Sequence, residues 1–242
     1  MLAIDAGNTR VKWGVFDVSG TLLAQGSLEH ALLDQLTAVI NTWPDCRRMV
    51  VSNVAGNAVL SQLIAMAQAA SLSVSVIEAA ASACWVRNRY EVPVRLGPDR
   101  WASLVAAWHR APTACVVVTA GTALTVDALS SQGEFLGGVI VPGWQMMRAA
   151  LVAGTAGLSP QAGAWAAFPQ NTADAMHTGC LSAMAGAVDR VYRTLQEREG
   201  ASPRCLLAGG DAALLQPLLS MPLEIADNLV LQGLWLIERE HA

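Results

Sequence analysis

Apolar residues fall in short runs at both ends of this chain's first segment. Leu2 to Ile4 is one run and Val11 to Phe16 a second, rich in valine and aromatics. Between them Asp5-Ala6-Gly7-Asn8-Thr9 has the composition of a tight turn, so the opening reads as a hairpin. Thr21 to Ser27 continues it as a third strand after Ser19-Gly20. The period then lengthens. Leu32, Leu33, Leu36, Val39 and Ile40 recur at helical spacing across Ala31 to Trp43, which Pro44 ends. Arg48 to Val54 is a strand, Ala58 to Ala70 a helix, and Leu72 to Ile77 a strand again. Strands first, then alternating helix and strand, predict an α/β layer structure.

Residues 79–98 lose this regularity and gather aromatic and basic side chains, among them Trp85, Arg87, Arg89, Tyr90 and Arg95. Asp99-Arg100 opens a helix over Trp101 to His109, and Ala111-Pro112-Thr113 is the boundary expected between domains 1–112 and 113–242. The second half then repeats the opening. Cys115 to Thr119 is a strand, Ala120-Gly121-Thr122-Ala123 a small turn, and Leu124 to Leu129 a strand. Asp5-Ala6-Gly7-Asn8-Thr9 aligns with Thr119-Ala120-Gly121-Thr122-Ala123, which suggests an internal duplication. Phe135 to Gly143 is a glycine-punctuated strand, Trp144 to Val152 a helix, and 158–170 a loop. Thr172 to Glu199 reads as one long helix capped by Asn171. Arg204 to Ala208 is a strand, Ala212 to Leu219 a helix and Asn228 to Glu240 the last helix.

Composition narrows the class. The chain has 242 residues, 53% of them hydrophobic and only 14% charged, enough apolar material for a sizeable core. Net charge is -4 and no Lys/Arg cluster occurs, which argues against nucleic acid as the main partner. No signal peptide is read at the start, and charges, Gly or Pro interrupt every apolar stretch before it reaches membrane-spanning length. The five cysteines are widely spaced without a CxxC, so neither a zinc site nor a disulfide framework is expected, and a reduced cytoplasm is the natural setting. His30, His109, His177 and His241 are scattered, each expected to be structural or at the surface.

The candidate chemistry sits in the turns. Asp5, Gly7, Asn8 and Thr9 offer a carboxylate for a cation, a glycine for close backbone approach, and N–H and O–H donors for phosphate oxygens. A plain hairpin turn uses the same residues, so this stretch alone leaves both readings open.

Taken together, four segments make the chain resemble the type III pantothenate kinases, within the superfamily of sugar kinases, actin and heat-shock chaperones. They are Asp5 to Thr9; Gly97-Pro98-Asp99-Arg100; Ala120 to Ala123 with Thr125 and Asp127; and Phe135-Leu136-Gly137-Gly138 running to Pro142-Gly143. Asn171-Thr172 and Leu229 to Leu234 agree as well.

That resemblance implies two ribonuclease-H-like domains with a nucleotide cleft between them, the two turns facing each other across it. It implies ATP and Mg²⁺ as cofactors, pantothenate as substrate, and a homodimer. Asp5 takes the magnesium-linked carboxylate position; Ala6, Gly7, Asn8, Thr9, Arg10, Val11 and Lys12, with Gly121 and Thr122, take nucleotide positions. Asp99 is the implied general base and Arg100 the group that holds the substrate carboxylate or offsets developing charge, with Tyr90, Gly97, Pro98 and Thr172 as further substrate contacts. Asp99 could also serve as a helix N-cap, and Arg100 as half of an exposed salt bridge.

The apolar residues of the long helix, Met176, Leu181, Met184, Val188 and Val191, are candidates for the subunit contact or for packing within one chain. The sequence departs from the family at Thr119, where many members carry an aspartate that binds potassium or ammonium, so weak or absent dependence on monovalent cations is expected. Accessory-factor proteins of the same fold, with weak or no kinase activity, are the alternative. Retained Asp5, Asp99 and Arg100 argue against that alternative.

Overall fold

The computed structural model describes residues 1–240, so His241 and Ala242 lie outside the described residues. Two compact units emerge, one of residues 1–111 with 228–242 and one of residues 112–227. In the first unit the chain runs β1 (Leu2–Ala6), β2 (Arg10–Phe16), β3 (Leu22–Glu29), α1 (Leu36–Thr42), β4 (Arg48–Asn53), α2 (Asn57–Ala69) and β5 (Ser73–Val76). A small hairpin, β6 (Ser82–Ala83) and β7 (Val86–Asn88), then leads into α3 (Pro98–Arg110). The second unit holds β8 (Cys115–Ala120), β9 (Ala123–Leu129), β10 (Glu134–Pro142), α4 (Trp144–Gly154), α5 (Thr172–Glu199), β11 (Arg204–Ala208), α6 (Ala212–Leu215) and β12 (Glu224–Ile225). The last helix, α7 (Leu229–Glu240), returns to the first unit.

The duplication read from two short turns extends to a shared order of five strands. Strands of the first unit run in the order β3-β2-β1-β4-β5, and those of the second in the order β10-β9-β8-β11-β12. In each, the first three strands of the unit form an antiparallel meander, and two later strands add parallel to its first. A parallel partner requires a crossover, and helices supply it here. β1 and β8 are therefore central strands, covered on both faces and apolar apart from Asp5 and Thr119. Ala3 and Ile4 are fully buried in one core; Val116 and Val118 are fully buried in the other.

Several elements differ from the sequence reading. Ala31 to Trp43 is not one helix: a 3-10 turn over His30–Gln35, broken at Leu32 (φ -111°, ψ 16°), precedes α1. Its apolar spacing is helical, but no polar residue caps either start. Residues 79–98 hide a hairpin whose turn puts Cys84 (φ 49°) and Trp85 (φ 69°) in the left-handed region without a glycine to announce it. The Ala212 to Leu219 helix stops at Leu215 and finishes as a 3-10 turn containing Pro217.

The second unit ends at Asp227, where the sequence reading carried it to 242. The reason is packing. Leu231, Leu234 and Ile237 of α7 are buried, and Gly233 lies against α3 so closely that a Cβ there would meet the Ala102 carbonyl oxygen at 1.9 Å. The apolar residues of α5 are likewise accounted for within the chain: Leu181, Met184 and Val188 belong to the second unit's own core, with Val191 packed on it. That helix begins and ends where the sequence places it, because Asn171 accepts from the Asp174 N–H at 2.9 Å and Gly200 (φ 69°) supplies the left-handed cap.

Candidate functional site

β1 places Asp5 next to last in a strand that is otherwise all Leu, Ala and Ile. Asp5 and Ala6 are thus strand residues, and the turn proper starts at Gly7, whose N–H donates to the Arg10 carbonyl at 3.1 Å. Asp5 is only 9% exposed, opposite Lys12 of β2 and beside Ser52 of β4 in the register. Burial, and then the charge of Asp99, push its carboxyl up to about 7, against a smaller pull from Lys12. Ser52 adds a fully buried hydroxyl that has no hydrogen-bond partner.

The rest of the turn faces outward. Asn8, Thr9, Arg10 and Lys12 are exposed, while Ala6 and Val11 are fully buried and can offer only backbone. Arg10 lies 3.5 Å from Glu29 with both side chains largely in solvent, a contact of little energetic weight.

Asp99 sits in the first turn of α3, not at its N-cap, which is Gly97 with Pro98 following. Its Oδ1 accepts from the Arg100 N–H at 2.8 Å and folds back over Gly97, where a Cβ would come within 2.6 Å of it. Glycine at 97 therefore leaves room for the Asp99 carboxylate.

Arg100 is buried at 7% exposure, which rules out the exposed salt bridge. Its Nη1 donates to the Tyr90 hydroxyl at 3.1 Å, and its guanidinium lies 5.8 Å from the centre of the Tyr90 ring. Buried Asn88, which the sequence reading did not single out, organises the approach: its Oδ1 accepts from the Tyr90 N–H at 3.0 Å and its amide donates to Pro93 O at 3.1 Å. Asp5, Lys12 and Asp99 are thus electrostatic neighbours within the first unit, and Arg100 pairs with Tyr90 in the same unit.

In the second unit, Thr119 stands next to last in β8, as Asp5 does in β1, and Gly121 closes its turn with an N–H to Ala123 O at 3.1 Å. Two glycines that the sequence reading left off its site buttress this turn. A Cβ on Gly143 would lie 2.0 Å from Gly121 O, and one on Gly209 would lie 2.0 Å from Ala120 O. Close backbone contact at both places is what only glycine permits. Thr122 is exposed at the tip, and Thr172 is exposed at the first turn of α5 with Asn171, not itself, as the cap.

The larger cavity described, about 530 Å³ lined by Arg48, Ser75, Glu78 and Glu238 among others, contains none of the predicted residues. Buried Glu238 there is satisfied by Arg48 and Ser75. Among the described residues no group of three or more His, Cys, Asp or Glu could enclose a metal ion, and no helix is long and apolar enough to cross a membrane.

The family model described as type III pantothenate kinase matches residues 1–194. A type III pantothenate kinase of Aromatoleum aromaticum is 46% identical over 244 residues, covering 100% of this chain and 99% of that protein. Among solved structures, a protein described as a Baf family transcriptional activator from Campylobacter jejuni superposes with TM-score 0.64 at 22% identity, covering 100% of this chain and 98% of the other. One described as a 2-dehydro-3-deoxygalactonokinase from Sinorhizobium meliloti does so with TM-score 0.59 at 16% identity, covering 98% of each. The fold is that of the actin-like ATPases and sugar kinases.

Proposed function

We propose, for a chain that belongs to the type III pantothenate kinase family, that Asp5 and Asp99 carry the reaction of that family here. The protein is an ATP-dependent kinase that phosphorylates the primary hydroxyl of pantothenate to give 4′-phosphopantothenate, the first step of coenzyme A synthesis. The observation carrying the residue assignment is a buried carboxylate, Asp5, whose ionisation is opposed first by burial and then by the charge of a second carboxylate, Asp99. A buried acid whose ionisation is opposed by a neighbouring carboxylate suits a site completed by a cation.

Mg²⁺ fits that donor set. A single buried carboxylate, Asp5, beside the orphaned hydroxyl of Ser52 matches a cation held by one carboxylate, water and substrate phosphates. Bound there through Asp5, it would neutralise charge on the transferring phosphates. Exposed Asn8, Thr9 and Lys12, with the backbone from Ala6 to Val11, line the phosphates, and Gly121 and Thr122 are the further nucleotide contacts of this reading. Asp99 accepts the hydroxyl proton of pantothenate, and orienting that hydroxyl lowers the entropic barrier to in-line attack. Arg100, held by Tyr90, meets the substrate carboxylate, with Gly97, Pro98 and Thr172 completing the substrate contacts.

A homodimer in the cytoplasm belongs to the same reading. With the α5 residues packed internally, exposed Ile140 of β10 and Met146 and Leu151 of α4 offer apolar surface for that contact.

The decisive assay is purified protein with ATP, Mg²⁺ and pantothenate, following phosphopantothenate directly. Asp99→Asn is expected to lower kcat by about 10²–10⁴-fold, the usual contribution of a positioned base, without changing the thermal midpoint by more than about 2 °C. Undiminished turnover would remove Asp99 from the chemistry. A second expectation concerns Thr119, next to last in β8, where many members of the family carry an aspartate that binds a monovalent ion. Exchanging potassium for a bulky organic cation should change the rate by less than about twofold, since a hydroxyl supplies an oxygen but no compensating charge. A collapse of the rate in that exchange would show that another group holds the ion.

A further inference from the structure

One of the scattered histidines reaches the phosphate turn. His30, at the start of the 3-10 turn after β3, brings its Nε2 to 3.0 Å from the carbonyl oxygen of Gly7, across 23 residues of sequence. A carbonyl can only accept, so Nε2 carries the proton in this bond and the ring is the donor. His30 Nδ1 is buried and has no hydrogen-bond partner, so Gly7 is the polar contact that orients the imidazole.

We infer that His30 is a positioning residue for the nucleotide, acting through the Gly7–Asn8 peptide; this rests on the proposed role of that turn in holding phosphates. No cis peptide occurs among the described residues, and in a trans peptide the C=O and the following N–H point in opposite directions. Anchoring Gly7 O on His30 therefore sends the Asn8 N–H to the other side of the same plane. The Gly7 N–H is already committed to Arg10 O at 3.1 Å, so both polar groups of Gly7 are fixed, one from within the turn and one from outside. Two things follow for an anion approaching Asn8 and Thr9. The Asn8 donor is aimed before the ligand arrives, and the Gly7 carbonyl, whose dipole would repel phosphate oxygens, is held away. Lacking the imidazole bond, this peptide is free to rotate, and ordering it would be charged against nucleotide binding. Pantothenate contacts, carried by Tyr90 and Arg100 through their own hydrogen bond, do not share this anchor.

The test is steady-state kinetics on the full chain with His30→Phe, which keeps the ring and removes the donor, and His30→Gln, which keeps a side-chain N–H donor without the ring. His30→Leu replaces the phenylalanine variant should that one not fold. Loss of one net hydrogen bond predicts a rise of about five- to tenfold in KM for ATP with His30→Phe, and a KM for pantothenate within about twofold of the parent. His30→Gln should return KM for ATP to within about twofold of the parent. An unchanged KM for ATP with His30→Phe, an equal rise in both KM values, or a glutamine variant as impaired as phenylalanine would each overturn the assignment. Lys12→Met separates the two levels of the argument. If it raises KM for ATP while His30→Phe does not, the histidine's role falls and the phosphate turn stands. If neither moves it, both fall.

Discussion

Replacing Asp5 by asparagine is expected to make the nucleotide-free protein more stable at pH 8 while abolishing turnover. Asp5 is buried in a central strand, and its carboxyl is pushed up to about 7 from an ordinary 3.8. Between those two values the unfolded chain has lost the proton and the folded chain still holds it. Folding therefore binds a proton in that window, and the contribution of Asp5 to stability falls as pH rises from about 4 to about 7. Below the window both states are protonated and the contribution is complete; above it the folded protein carries a buried charge. The difference is at most roughly 4 kcal/mol at 1.36 kcal/mol per unit, an upper bound because buried sites relax.

Asparagine has nearly the same shape and never ionises. The variant should keep at pH 8 the thermal midpoint that it has at pH 5, apart from the titration of other groups, and the parent should lose several degrees over the same range. Turnover should drop by something like the 10³–10⁵ that a charge-neutralising group supplies in phosphoryl transfer. Thermal denaturation at pH 5 and pH 8, beside the kinase assay, measures both. An asparagine variant less stable than the parent at pH 8 would mean that the Asp5 charge is already balanced within the first unit.

The second large effect is expected at Gly209. This residue has φ +103°, and a Cβ there would sit 2.0 Å from the Ala120 carbonyl oxygen and 2.6 Å from its carbon, all backbone. Two costs add. A non-glycine residue at this φ is strained by about 1 kcal/mol, and forcing an atom into packed backbone costs about 1–3 kcal/mol more. Relief requires moving Ala120, whose carbonyl also accepts from the Asp211 N–H at 3.0 Å, and with it the Gly121-Thr122 turn. Gly209→Ala should therefore lower the thermal midpoint by about 5–15 °C and impair nucleotide binding together with it. The adjacent residue is the control. Nothing lies within 4 Å of a Cβ on Gly210, so Gly210→Ala should stay within about 2 °C of the parent. Equal behaviour of the two variants would contradict the packing of this turn.

What could be read before the structure, and what could not, divides along the range of the interaction. Local signals located well: the apolar run and turn of the opening hairpin, and both ends of α5, where Asn171 and Gly200 are caps that act within a few residues. The repeated turn was legible because its small residues recur at matching places, and it led to a duplicated sheet order. Contacts between distant residues left no trace in the chain. Nothing in Ala31 to Trp43 shows the break at Leu32, and nothing around Cys84 and Trp85 marks a turn, since neither is a residue that favours positive φ. His30 is an ordinary histidine until the fold brings it to Gly7, and Gly143 and Gly209 gain their meaning from backbone 20 or more residues away in sequence.

The return of α7 to the first unit has a consequence for the order in which the protein is made. Residues 112–227 are continuous, and everything needed for that unit has been polymerised before residue 228 is added. The first unit begins earlier but closes later. Its helix α3 exposes Ala102 and the neighbouring apolar surface until Gly233, Leu234 and Ile237 arrive to cover them. Cotranslational folding usually favours the earlier segment. Here the half with Asp5 and Asp99 spends the whole synthesis of the other half incomplete, and the growing chain carries a gap that its final helix fills.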